Sequence, residues 1–250
     1  MQSTNRVSSY LSPIIAHRGA SSLAPENTLA AFRKAQEIGA KWVEFDVMLA
    51  SCGEAIVFHD ETLERTTNGH GNVWDYPYSY LQTLDAGSWF NPIYSGERIP
   101  RLQEVIEELH RLKLAANIEI KPIRNQEEET VKKTLNVIEQ HWRKDMKPPL
   151  ISSFSRTVLE WVRKYSKTHF LGFLMNEWQM DWEKSCDELN CVSVNMNHKI
   201  INQSRVNEIK LTNRLILSYT VDDSDIAQHL YELGVDSIFS NCPANMGSFF

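Results

Sequence analysis

The chain has 250 residues, 42% of them hydrophobic and 23% charged, which suits one large globular unit with a full core. A net charge of −6 and a pI near 5.8 argue against a nucleic-acid or anionic-membrane surface, which would show basic clustering. No stretch approaches the ~20 apolar residues of a membrane span, and Met1 to Tyr10 lack the apolar core of a secretion signal, so no stable membrane insertion and a cytoplasmic location are expected.

The first expected strand, 13–17, ends at His17-Arg18-Gly19. Pro25-Glu26-Asn27-Thr28 then offers a turn and a capping side chain for a helix near 28–38. Leu29, Phe32 and Ala35 mark its face, and Gly39 ends it. In the strand 42–47, alternation puts Val43, Phe45 and Val47 on one side and Glu44 and Asp46 on the other. Ser51-Cys52-Gly53-Glu54 reads as the turn of a hairpin whose return arm, 55–59, leads to His59-Asp60. Residues 61–100 break the rhythm with tryptophans, tyrosines, prolines and glycines. They read as an insertion on the rim of a single domain spanning 1–250, because the segment is too short of residues for its own core.

Beyond it, helices are expected near 101–112, 126–143, 155–165, 178–188, 202–211 and 223–233. Strands are expected at 115–121, 150–153, 169–174, 191–195, 215–220 and 235–239. The strand 115–121 repeats the earlier pattern, with Glu119 and Lys121 opposite Ile118 and Ile120. Asp222 or Asp223 caps the last helix and Gly234 closes it. Such alternation implies an α/β protein with a parallel sheet and helices outside. Eight of the nine strands fit a closed TIM (β/α)8 barrel with a small insertion after the second strand, 55–59 being the extra arm. An open doubly wound sheet competes, but no GxGxxG or P-loop follows any strand. Cys52, Cys186, Cys191 and Cys242 show neither a CxxC pair nor zinc spacing and read as free thiols.

In a barrel, functional groups gather at the C-terminal ends of strands. His17, Glu44, Asp46, Glu119 and Lys121 would then surround one opening. Three oxygen ligands without thiolates favour a hard divalent cation, Mg²⁺ or Ca²⁺, over zinc. Arg18 and Lys121 beside it suit a phosphate oxygen. Two histidines, His17 and His59, suit the base and the acid of an in-line displacement at phosphorus. Taken singly, each pair has an ordinary explanation: an exposed acidic strand face, a surface ion pair, a turn. Their joint occurrence at strand ends is what points to a site. Histidines 70, 110, 141, 169, 198 and 229 have no such setting.

The sequence resembles the glycerophosphodiester phosphodiesterases in an ordered set of segments. These are His17-Arg18-Gly19-Ala20, Pro25-Glu26-Asn27-Thr28, Glu44-Phe45-Asp46-Val47, His59-Asp60 and Leu63 to Gly69. Gly87-Ser88-Trp89-Phe90, Gly96 to Pro100, Asn117 to Lys121 and Ser152-Ser153-Phe154 continue the likeness, which spans roughly 13 to 245. The resemblance implies a TIM barrel that hydrolyses a small-molecule glycerophosphodiester, such as glycerophosphocholine or glycerophosphoethanolamine, to sn-glycerol 3-phosphate and an alcohol. It implies His17 and His59 as catalytic residues, Glu44, Asp46 and Glu119 as ligands of one divalent cation, and Arg18 and Lys121 as phosphate or glycerol contacts. His17 is assigned as base and His59 as acid. Lysophospholipase D action on lysophospholipids and a non-catalytic binding barrel are the alternatives, and no oligomeric state is specified. Two departures stand out. Tyr219-Thr220-Val221-Asp222 replaces Trp-Thr-Val-Asn, and Asn241 replaces an Asp before the last proline, where an amide hydrogen-bonding a turn is expected to matter little.

Overall fold

The computed structural model describes residues 4, 7–9, 11–123 and 125–247. β1 (Ile14–His17) leads through α1 (Leu29–Glu37) to β2 (Trp42–Leu49), which turns back as β3 (Ala55–Val57). A short helix, α2 (Tyr78–Leu81), lies in the segment before α3 (Leu102–Leu112). Regular alternation follows: β4 (Ala115–Ile120), α4 (Glu127–His141), β5 (Leu150–Ser153), α5 (Arg156–Tyr165), β6 (Phe170–Met175) and α6 (Trp182–Leu189). β7 (Ser193–Asn197), α7 (Gln203–Leu211), β8 (Leu215–Tyr219), α8 (Ser224–Leu233) and β9 (Ser237–Ser240) complete it.

The strands other than β3 run parallel in the order β1-β2-β4-β5-β6-β7-β8-β9, and pairing of Ile14 with Ile238 closes β9 onto β1. The fold is a TIM barrel. Start and stop signals work as the sequence predicts: Thr28 caps α1, accepting from Ala31 N at 3.3 Å, and Asp223 rather than Asp222 caps α8. α6 begins at Trp182, later than expected, because residues 178–179 are irregular and 180–181 form a turn.

β2 is also longer than expected, and the reason lies in its edges. β1 pairs only with Val43 and Glu44, so the second half of β2 outruns it and gives that edge to β3, through Val47↔Val57 and Met48↔Ile56. Glu44 and Asp46 therefore lie within β2 and not at its end, as the spacing suggested. The register aligns Glu44 with His17 and Asp46 with Glu119.

Alternation along the strands builds two cores. Val43, Phe45, Val47, Ile118 and Ile120 face outward and pack with Phe32, Val105 and Val131 of the helices. Ile15, Trp42, Ala115, Leu150, Leu215 and Phe239 form a second cluster, inside the barrel. Along β2 the inward residues are Trp42, Glu44 and Asp46, and along β4 they are Ala115, Asn117 and Glu119. The barrel interior thus passes from apolar at the strand starts to acidic toward their ends.

The segment after β3 has its own apolar cluster, in which Leu63, Val73, Leu81, Leu84, Ala86 and Ile99 pack on Met48, Ala50, Ile56 and Phe58. The last four belong to the β2–β3 hairpin and what directly follows it, so the insertion after the second strand completes its core with barrel residues. All four cysteines are free thiols, with Cys186 and Cys191 buried.

Candidate active site

At the end of β1 the chain turns sharply, with Arg18 at φ 55° and Gly19 at φ 80°. A Cβ on Gly19 would lie 2.7 Å from both the carbonyl carbon and the Cβ of Ala31, so space and backbone conformation both require glycine. The turn aims the Arg18 N–H at Glu44 Oε2, 3.0 Å away. Gly19→Ala should cost roughly 1–3 kcal/mol through strain and displacement of α1, measured as a lower midpoint in thermal or urea unfolding.

Glu44, Asp46 and Glu119 each offer a carboxylate oxygen, and these oxygens lie within 4.8 Å of one another. Glu44 and Asp46 are buried. Asn27, itself left-handed at φ 57°, donates its Nδ2–H to Asp46 Oδ2 at 2.9 Å. Lys121 Nζ stands 3.9 Å from Asp46 and 3.8 Å from Glu119. Arg18 donates Nη1–H to Glu26 at 2.7 Å, with its Nε 3.5 Å from Asp46.

The two histidines have different supports. His17 Nδ1 is 2.7 Å from Asn241 Oδ1, and its Nε2 faces Glu44 Oε2 at 3.7 Å. His59 Nδ1 is 2.5 Å from Asp60 Oδ1. Arg65 clamps that carboxylate from behind, with Nε 2.5 Å from Asp60 Oδ2, and two further N–H groups donate to Glu26 at 2.7 Å. The chain of charges Arg18–Glu26–Arg65–Asp60 thus links the first βα loop to His59. An amide backs one imidazole and a carboxylate backs the other.

Burial dominates the electrostatics. It lifts Glu44 well above the usual carboxylate range, aided by the charges of Asp46 and Glu119. Burial and the Asp46 charge likewise raise Glu119 to about 8, against the opposing pull of Lys121 and Arg18. Asp46 feels the same desolvation, yet Arg18, His59, Lys121 and the Asn27 hydrogen bond hold it below its ordinary value. Burial and the Arg18 charge pull His17 down to about 4, despite its bond to Asn241. His59 is lowered too, by burial and then by Arg18 and Lys121, while Asp46 and Asp60 oppose the shift.

His17, Arg18, Glu44, His59, Asn117, Glu119, Phe154, Leu174, Tyr219, Thr220 and Phe239 line one cleft of about 180 Å³. A larger cavity of about 850 Å³ lies at the strand starts, near Trp42 and Ala115, away from the carboxylates. Inside the cleft, Glu44 Oε1, Arg18 Nε and Asn117 Oδ1 are buried atoms without a hydrogen-bond partner. Glu44 Oε1 and Asn117 Oδ1 are orphaned acceptors beside a cluster of carboxyl groups, so the donor set fits a hard divalent cation.

All seven residues singled out in the sequence thus converge. Glu26, Asn27, Arg65, Asp60 and Asn241 were missed as site residues. The first four lie in motifs already quoted, but their role depends on partners far away in the chain. Asn241, expected from the sequence to hydrogen-bond a turn, also contacts His17 through its amide oxygen.

Residues 17–245 match the glycerophosphoryl diester phosphodiesterase family. A glycerophosphodiester phosphodiesterase of Caldanaerobacter subterraneus is 34% identical over 238 residues, covering 93% of this chain and 95% of that protein. Another, from Bacillus subtilis, is 32% identical across 92% of this chain and 83% of its own length. An Oleispira antarctica phosphodiesterase, solved in complex with the product sn-glycerol 3-phosphate, superposes with a TM-score of 0.94 at 37% identity, covering 96% of this chain and 97% of that one.

Proposed function

The chain belongs to the glycerophosphoryl diester phosphodiesterase family, and from that premise we propose that it hydrolyses glycerophosphodiesters to sn-glycerol 3-phosphate and an alcohol, with His17 and His59 moving the protons. It is a glycerophosphodiester phosphodiesterase, a phosphoric diester hydrolase. The observation that supports the mechanistic reading is that both imidazoles, Glu44 and Glu119 line one cleft, with a carboxylate oxygen of Asp46 within 4.8 Å of theirs.

Glu44, Asp46 and Glu119 would hold one Mg²⁺ or Ca²⁺, which when bound polarises a phosphoryl oxygen and offsets developing negative charge. Arg18 and Lys121 border the same site and suit the remaining phosphate oxygens. His17, kept neutral by burial, takes the proton from the attacking hydroxyl as the new P–O bond forms. His59 gives a proton to the departing alkoxide as the old P–O bond breaks. Its Asp60 partner opposes the lowering by burial, and arrival of an anionic diester, by offsetting Arg18 and Lys121, favours the imidazolium needed for that step. Phe154 and Tyr219, in edge-to-face contact at 5.6 Å, wall the cleft beside the substrate.

The test is release of glycerol 3-phosphate from glycerophosphocholine, glycerophosphoethanolamine and a lysophospholipid. It is run after chelation and again with Mg²⁺ or Ca²⁺ restored. Turnover of the first two, lost on chelation and recovered on add-back, is expected. Full activity in chelator would remove the cation, and turnover of the lysophospholipid alone would replace the substrate class.

A further inference from the structure

We propose that Asp222 and Asn241 form a positioning pair that fixes the His17 ring and keeps its proton on Nδ1, leaving the Nε2 lone pair toward the cleft. The role of that lone pair rests on His17 being the base of the proposed hydrolysis. A neutral imidazole has two tautomers, and the partner of the nitrogen turned away from the substrate selects between them. For His17 that partner is the Asn241 side chain.

A carboxamide cannot make the selection unaided. With its oxygen toward the ring it requires Nδ1–H, whereas with its NH₂ toward the ring it requires a bare Nδ1 and a proton on Nε2. The nearest neighbour, Ser21, does not favour the first arrangement. Its Oγ lies 2.8 Å from the His17 carbonyl and 2.9 Å from Asn241 Oδ1, and its single proton cannot serve both fully. An NH₂ in that place would let Ser21 accept from Asn241 and donate to the carbonyl.

Asp222 decides from behind. Its Oδ2 is 2.8 Å from the other terminal atom of the Asn241 amide. A carboxylate only accepts, so that atom must be the NH₂, and the amide oxygen must face His17. A flipped amide would press oxygen against oxygen. The carboxylate itself is anchored, because Oδ1 accepts from Asn241 N at 2.7 Å, Ser240 Oγ at 3.1 Å and Cys242 N at 3.3 Å. The orientation is thereby passed from the end of β8, through the end of β9, to the end of β1.

Asp222→Asn tests this directly. The new side chain keeps an oxygen for the three Oδ1 contacts and replaces Oδ2 with a donor, so Asn241 becomes free to flip. Protein labelled with ¹⁵N-histidine would be studied at neutral pH by long-range ¹⁵N–¹H correlation, with His17 assigned by its loss in His17→Gln. The parental protein should show the Nδ1–H tautomer, and Asp222→Asn should shift His17 toward Nε2–H. A wrong tautomer costs a serine protease about 10⁴ in kcat, so even partial loss should lower kcat here at least about tenfold with KM nearly unchanged. The exchanged double variant, Asp222→Asn with Asn241→Asp, restores a donor–acceptor pair and an acceptor for Nδ1–H, and should recover the tautomer and most of kcat. An Nε2–H parental ring, or an Asp222→Asn protein with tautomer and kcat both unchanged, would overturn the proposal. A parental protein inactive on every diester would defeat the hydrolysis itself, while the spectra would still decide the pair.

Discussion

His17→Ala should lower kcat on glycerophosphocholine by about 10²–10⁴, the contribution of a proton-transfer catalyst acting in the transition state, with a much smaller change in KM. The ring sits at a strand end with a cleft on one side, so its removal does not open the outer core that holds the barrel together. Asn241 keeps its bonds to Asp222 and Ser21, and Glu44 keeps the Arg18 N–H. His59→Ala should lose a comparable factor for the opposite reason, since the alkoxide would leave unprotonated. The double variant should fall little below either single one, because the two groups act in one transition state and their losses do not add. Single-turnover rates, with unfolding midpoints as a control for structure, check all three. A His17→Ala protein turning over at the parental rate would end its role as base.

The βα alternation was legible because period-2 and period-3.6 patterns are set locally, and Thr28, Gly39 and Gly234 punctuate them. The acidic trio was legible for the same reason: alternation alone puts Glu44 with Asp46, and Glu119 lies on the corresponding face of β4. What could not be read is anything that depends on which edge a strand offers. The extra length of β2 follows from β1 stopping at His17, a fact about pairing and not about residues 48 and 49. Likewise, nothing near Asn241 announces that it meets a ring 224 positions earlier, or near Arg65 that it joins Glu26 to Asp60. The family motifs flag such residues as a group, but only barrel closure assigns them their partners.

Chelation, or Glu119→Gln in its place, should abolish turnover and also change how stability depends on pH. Losing several kcal/mol of charge stabilisation at the phosphoryl group corresponds to a fall in rate of at least about 10³. The pH effect follows from the cost of gathering three carboxyl groups where water is scarce. In the folded, cation-free protein Glu119 is raised to about 8 and Glu44 lies well above its ordinary value, chiefly through burial. The unfolded chain releases those protons near its ordinary carboxylate values. Below the ordinary histidine value of ~6.5, however, it also holds protons that the lowered His17 and His59 have given up in the fold. The two contributions offset there, and stability falls with rising pH chiefly between about pH 6.5 and 8. A divalent cation reverses the trend, because it needs the ionised groups and displaces their protons. Its stabilisation should be small near pH 5 and should grow toward pH 8. At a hundredfold excess over Kd it reaches about 2.7 kcal/mol, or about 5–10 °C in Tm for a chain of this length. Glu119→Gln removes one ligand and one displaced proton together, so the variant should show little cation-induced rise in Tm and a flatter profile in chelator. Thermal unfolding from pH 5 to 8, with and without Mg²⁺ or Ca²⁺, checks both signs. A cation-induced rise of equal size at every pH would mean that the ion binds without displacing protons from these groups.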